Sequence, residues 1–288
     1  MRHVNEHLVY VAAMLNGLRA LKLSARWLIV AAIGLAAAGS VAMLKPIPQP
    51  QSYHEFADQR TIFGIAHGMD VLSNTAFFVS GLLGLWFVLR AGKTLDAGTR
   101  WAFAILFFGL VLTSAGSAYY HLDPDNQRLV LDRMPMIVVM AGCIGAVVAD
   151  RFGGASAWAI TALLAVGLWT VHHWSVSEEL GQGDLRWYAL YQGLAIIAGL
   201  LLLVLFPSRN GATPAFLIAV AGNVAAKIFE LLDKPIFALG GIVSGHTLKH
   251  LSAGLAFLPL AFLIRRIGQQ RMVDDSLRPD LVNAGSSR

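Results

Sequence analysis

The chain has 288 residues, 56% of them hydrophobic and only 14% charged, with a mean hydropathy of +0.62. Soluble domains carry about a quarter charged residues, so the soluble globular class is excluded. The formal charge of +5 does not point to nucleic acid, because Lys and Arg gather at the ends of apolar runs, as membrane topology requires.

Between the charge clusters run apolar stretches of about 17–22 residues, the length a helix needs to cross about 30 Å of hydrocarbon. They lack the alternation of a membrane barrel, and only helices otherwise satisfy their own backbone in lipid. The predicted spans, in chain order, are 27–44, 69–90, 101–121, 134–150, 155–173, 187–206, 213–232 and 245–264. This is an all-α polytopic transmembrane helix bundle, with a seven-helix core (69–264) and one extra N-terminal helix (27–44). An N-terminal arm (1–26) precedes that helix, a linker and outer loop (45–68) follows it, and a tail (265–288) ends the chain.

The extra helix is set apart by Lys45-Pro-Ile-Pro-Gln-Pro50, whose proline spacing predicts an extended linker. Its basic flank is long for a cleaved signal peptide, so an uncleaved anchor is expected. Leu8, Val11, Ala12, Leu15 and Leu18 give the arm a weak amphipathic pattern. Arg19, Lys22, Arg26, Arg90, Lys93, Arg100, Arg151, Arg209, Arg265 and Arg266 fall on one side of this topology. Asp123, Asp125, Asp132, Glu178, Glu179, Asp184 and Asp233 fall on the other. Both termini are therefore expected in the cytoplasm.

Ionisable groups inside or at the ends of spans are costly and mark candidate sites. Ser117 and His121 close the third span four residues apart, on one helix face offset by about 40°. Asp132 opens the fourth span, followed by Arg133 and Pro135. His246 and His250 open the last span at i and i+4, the spacing by which one helix presents two imidazoles to one metal. Taken singly, each has a plainer reading: Ser117 in helix packing, His121 at the water boundary, Asp132 as an N-cap. Lys249 reads as lying off the metal face and snorkelling outward. Yet the topology brings His121, Asp132, His246 and His250 to the same depth, near the outer leaflet. Three imidazoles with a fourth position open is a catalytic zinc arrangement; a carboxylate can serve as base and a hydroxyl can support an oxyanion. The lone cysteine, Cys143, sits in an apolar run, so metal ligands must be His or carboxylate.

These motifs resemble the alkaline ceramidases, part of a wider group of seven-span hydrolases that includes the progestin and adiponectin receptor family. Gly116-Ser117-x-x-Tyr120-His121 resembles the family's G-S-x-x-(aromatic)-H, and Leu131-Asp132-Arg133-Met134-Pro135-Met136 its L-D-E-L-P-M. His246-x-x-x-His250 resembles its final H-x-x-x-H, Ser73-Asn74 its S-N, Tyr191-Gln-Gly193 its Y-G, and Asp233 an acidic position of its sixth helix. Bacterial ceramidase-like members are closest, through Phe56-Ala-Asp58-Gln-Arg60 and Gly183-Asp-Leu-Arg186. The resemblance implies zinc on His121, His246 and His250, Asp132 as general base, Ser117 beside the reacting centre, and a ceramide-like membrane lipid as substrate. It implies a bacterial inner-membrane location. Arg133 stands where the family has Glu, at the rim of the site. Eukaryotic members also hold calcium, but Asp58 and Asp70, with His67 where a Glu is expected, are thin for such a site, and calcium is not expected. Two alternatives remain: a zinc hydrolase of another lipid amide or ester, and a zinc-containing lipid-sensing receptor.

The other polar residues have plainer readings. His172, His173 and Trp174 read as an interfacial belt, and Glu178, Glu179 and Asp184 as a solvated loop. Glu230 and Lys227, three apart, are expected to pair.

Overall fold

The computed structural model describes residues 13, 14, 16–154 and 156–276. Most of the predicted amphipathic arm and the end of the tail lie outside these. Among the described residues, eight helices are long and apolar enough to cross a membrane: α1 (Leu23–Ala42), α2 (Gly68–Thr94), α3 (Ala97–Leu122), α4 (Asn126–Phe152), α5 (Ser156–Glu179), α6 (Arg186–Leu205), α7 (Thr213–Leu231) and α8 (Gly245–Val273). Regular strands are absent among the described residues; Ile62 and Ile65 form one isolated bridge.

Helix α3 packs between α2 and α4, α4 leads on to α5 and α6, and α8 closes against α2 and α7. Phe103, Leu106, Phe107 and Leu110 of α3 meet Val147 of α4, Leu202 of α6, Phe216 of α7 and Leu260 of α8 in the main core. In lipid such packing rests on close van der Waals fit, not on escape from water. Helix α1 has no buried residue and lies outside this ring against α6. It is tied by Trp27, whose ring centroid is 5.0 Å from that of Phe206, and by Arg26, whose Nη1 donates to the Leu205 carbonyl at 3.1 Å.

Two spans are interrupted where the sequence requires it. Helix α2 breaks at Asn74, between Gly68–Ser73 and Thr75–Ala91. Helix α8 breaks after Leu255 and resumes at Leu258, because Pro259 has no N–H to return to the Leu255 carbonyl. It then runs on past the predicted end at 264, so the start of the predicted tail is helical.

Helix α4 corrects the sequence reading of Asp132. It starts at Asn126, and its N-cap is Asp125, whose carboxylate accepts the Arg128 N–H at 2.7 Å. Asp132 is therefore no cap; it lies inside the helix, and Pro135 lies deeper still. Pro135 leaves the Leu131 carbonyl without its helical donor. That carbonyl turns to Gly116 of α3: a Cβ built on Gly116 would stand 2.1 Å from the Leu131 oxygen. The missing side chain lets α3 and α4 close on each other one turn from His121.

The 45–67 segment is stitched onto the bundle by two matching clasps. Asp58 accepts from Arg60 Nε at 2.7 Å and Nη2 at 2.6 Å, and Asp184 accepts from Arg186 Nε at 2.7 Å and Nη2 at 2.8 Å. Each arginine then donates to distant backbone, Arg60 to Gly241 and Ile242 and Arg186 to Leu44. Glu178 accepts from the Gln49 N–H at 2.6 Å and from the Trp174 indole at 3.2 Å. Glu178 and Asp184 are thus anchors of the linker, not members of a solvated loop. Trp174 is likewise not interfacial: it is 0% exposed, with the Arg133 guanidinium 3.9 Å from its ring centroid. His172 is exposed, as the belt reading requires.

Two measurements check this account. Gly116→Ala forces a methyl into the Leu131 carbonyl and is expected to cost about 1–3 kcal/mol, seen as a lower melting temperature in detergent. Gly39→Ala, with nothing within 4 Å, should not lower it. The Arg186 guanidinium holds the Asp184 carboxyl down at about 2. A carboxylate depressed on folding contributes stability above its unfolded value near pH 4, and loses it as pH falls through the folded value. The melting-temperature gap between the parent and Asp184→Asn should therefore close between about pH 4 and pH 2.

Candidate metal centre

Two helix ends converge at one end of the bundle. His121 ends α3, while His246 and His250 occupy the first turns of α8, behind the N-cap Ser244, whose hydroxyl accepts the Thr247 N–H at 3.0 Å. The i, i+4 spacing puts both α8 imidazoles on one face, and α3 supplies the third from across the interface. One ring nitrogen from each lies within 4.8 Å of the other two. Nε2 of His121 stands 3.2 Å from Nε2 of His246. All three side chains are buried.

Surrounding groups set how each imidazole is presented. His250 Nδ1 lies 3.0 Å from the Asp70 carbonyl and 2.8 Å from Ser73 Oγ, while Ser73 donates its own proton to that carbonyl at 2.9 Å. A carbonyl only accepts, so Nδ1 carries the proton and Nε2 is the nitrogen left for a ligand bond. Asp233 holds the α8 entrance by accepting the His246 N–H at 2.8 Å, and its second oxygen accepts the Ala57 N–H at 2.9 Å. His67, held at φ 47°, places Nδ1 2.9 Å from the His121 carbonyl. Phe56 lies across the rings, its centroid 4.6 Å from His121 and 4.4 Å from His246. His121 Nδ1 has no hydrogen-bond partner among the described residues, while its Nε2 is the nitrogen that faces His246.

The predicted site residues are thus brought together in two groups. His121, His246 and His250 share one centre. Asp132 does not join the three nitrogens; its buried carboxylate lies within electrostatic reach of Ser117 and of the Lys249 ammonium. Lys249 itself corrects the sequence reading. It does not snorkel outward: Nζ is 3.0 Å from Glu230 Oε1 and 3.4 Å from His246 Nε2. Glu230 also takes the expected pair with Lys227. Helix periodicity misplaced Lys249 because a long side chain follows a buried counter-charge instead of its Cα direction.

Arg133, placed at the rim from sequence, is buried between Trp174 and Tyr188 (4.7 Å to the ring centroid) and donates to Gln49 Oε1 at 2.6 Å. The carboxylates weighed for calcium go to separate partners. Asp58 is clasped by Arg60, and Asp70 Oδ1 accepts from Thr247 at 2.7 Å and Ser244 at 3.1 Å. Gln49 carried no local signal as a site neighbour, since it arrives from an element remote in sequence; Glu230 was expected only as the partner of Lys227, and Phe56 only as part of the resemblance. Ser73 and Asp233 were visible only as parts of the resemblance.

A cavity of 320 Å³ opens on His246 between the linker and the end of α7, lined among others by Tyr53, Glu55, Phe56, Glu230 and Lys234. A polar mouth therefore leads to a buried imidazole cluster.

The fold and site define an integral membrane helix bundle whose buried His121, His246 and His250 group can hold a metal ion. Compared with protein-family models and with curated proteins, the chain matches none.

Loss of an orienting partner commonly costs 10–100-fold in metal affinity. Ser73→Ala, which removes one of the two acceptors of His250 Nδ1–H, should weaken metal binding by roughly tenfold, read with added zinc as the probe ion in competition with a chromogenic chelator.

Proposed function

We propose that this chain is a zinc-dependent intramembrane hydrolase that cleaves the amide bond of ceramide-like N-acylated lipids, releasing a fatty acid and an amine. The observation that carries the reading is the His121/His246/His250 group with a buried aspartate and serine beside it. Two imidazole nitrogens on one tetrahedral zinc, each at 2.0–2.1 Å, stand about 3.3 Å apart; the His121 and His246 Nε2 atoms are 3.2 Å apart. Among the described residues the group ends at three donors, which suits a centre with an open position, whereas a receptor with structural zinc calls for a fourth protein ligand.

Bound zinc supplies a Lewis acid that polarises a carbonyl and lowers the pKa of water. Asp132 takes the proton of the attacking water and passes it to the departing amine, so that amide and water become acid and amine. Ser117, close to Asp132, is the donor at hand for the tetrahedral oxyanion. The polar mouth between Glu55 and Lys234 takes the head-group end of the lipid, while the acyl chains lie among the helices. The loop charges support an orientation with both termini cytoplasmic and the site near the outer leaflet, and the resemblance to bacterial ceramidase-like members supports a bacterial inner membrane.

The test is metal analysis of purified protein coupled to amine release from a panel of N-acylated lipids and their ester counterparts. His250→Ala should lose zinc and turnover while remaining folded and extractable. Full turnover by zinc-free His250→Ala would overturn the reading, and cleavage of the esters alone would move it to another lipid bond.

A further inference from the structure

Lys249 is a cation inside the bundle, its side chain only 21% exposed, with Nζ 3.4 Å from the same His246 nitrogen that faces His121. Burying an ammonium is costly unless a counter-charge and hydrogen bonds compensate it. Glu230 is that counter-charge, at 3.0 Å, and it is held in turn by the Tyr53 hydroxyl at 3.2 Å. Glu230 does not need Lys249 for neutralisation alone, because Lys227 from its own helix already pairs with it from an exposed position. What Lys249 adds is a positive charge aimed at the imidazoles, with Asp132 and Glu230 as its flanking anions.

We propose that Lys249, clamped by Glu230, is a fixed second cation of the metal centre, weakening cation binding at the three imidazoles while making the site favour an anion. An ammonium at this distance donates to the His246 lone pair that a metal–ligand bond requires, and repels any cation placed there. The same charge is preorganised beside the point where an amide carbonyl becomes an oxyanion. The inference rests on the metal reading of the three imidazoles and adds Lys249 and Glu230 to the centre as positioning charges.

Zinc affinity, measured at fixed pH by chelator competition on detergent-purified full-length protein, separates this role from a structural one. Lys249→Met should bind zinc roughly tenfold more tightly than the parent, and Glu230→Gln, which leaves the ammonium uncompensated, roughly tenfold more weakly. The double variant should return close to the parent, and Lys249→Arg, which keeps the charge, should stay near it. Lys249→Met should nevertheless hydrolyse its lipid more slowly at saturating zinc. General loosening of the site would weaken zinc in both single variants; that result, or affinity unmoved in both, overturns the inference. If Lys249→Met does not fold, Glu230→Gln and Lys249→Arg carry the test: zinc unmoved by Glu230→Gln, or tightened tenfold by Lys249→Arg, overturns it. His250→Ala in the same assay keeps the two ideas apart. Zinc retained by His250→Ala sinks the metal reading itself, whereas zinc lost there without opposite shifts at 249 and 230 sinks only the role of Lys249.

Discussion

Hydrocarbon offers no partner to a polar group, so each polar atom buried in a membrane bundle is paired within the chain or costs several kcal/mol. Three imidazoles packed against one another are a severe case, and the architecture at this end of the molecule follows from supporting them. The Asp70 carbonyl and Ser73 take the His250 proton, Asp233 takes the His246 backbone N–H, and His67 reaches the His121 carbonyl. These partners come from α2, the α7–α8 connection and the linker. The centre therefore exists only when those elements are docked.

The linker has a larger part than its length suggests. Its two aspartate–arginine clasps and the Gln49–Arg133 bond fix the path of residues 45–67 over the bundle end. That path sets Phe56 against two of the three histidines and leaves a polar mouth beside them. A ring in that position covers two of the imidazoles, and water exclusion strengthens the electrostatic interactions beneath it.

Backbone constraints bring α3 and α4 together in a related way. Pro135 frees the Leu131 carbonyl, and Gly116 is the residue small enough to receive it. The approach of these two helices carries Ser117 to Asp132 and sets His121 across from α8. A motif that reads as a string of site residues thus contains two positions, Gly116 and Pro135, whose work is packing.

The spans and the convergence of His121, His246 and His250 at one end were legible in the residues, because hydropathy and helical spacing are local properties and alternating topology assigns each span end to a side. The i, i+4 histidines needed no more than helix geometry. The sequence alone could not place Asp132 within its helix, since Asp125 and Asp132 are both acceptable caps and only backbone hydrogen bonding chooses between them. Nor could it turn Lys249 inward, bury Trp174 and Arg133 together, or make anchors of Glu178 and Asp184. Those outcomes depend on which charge or ring stands opposite in space, and a partner remote along the chain is decided only when the helices pack.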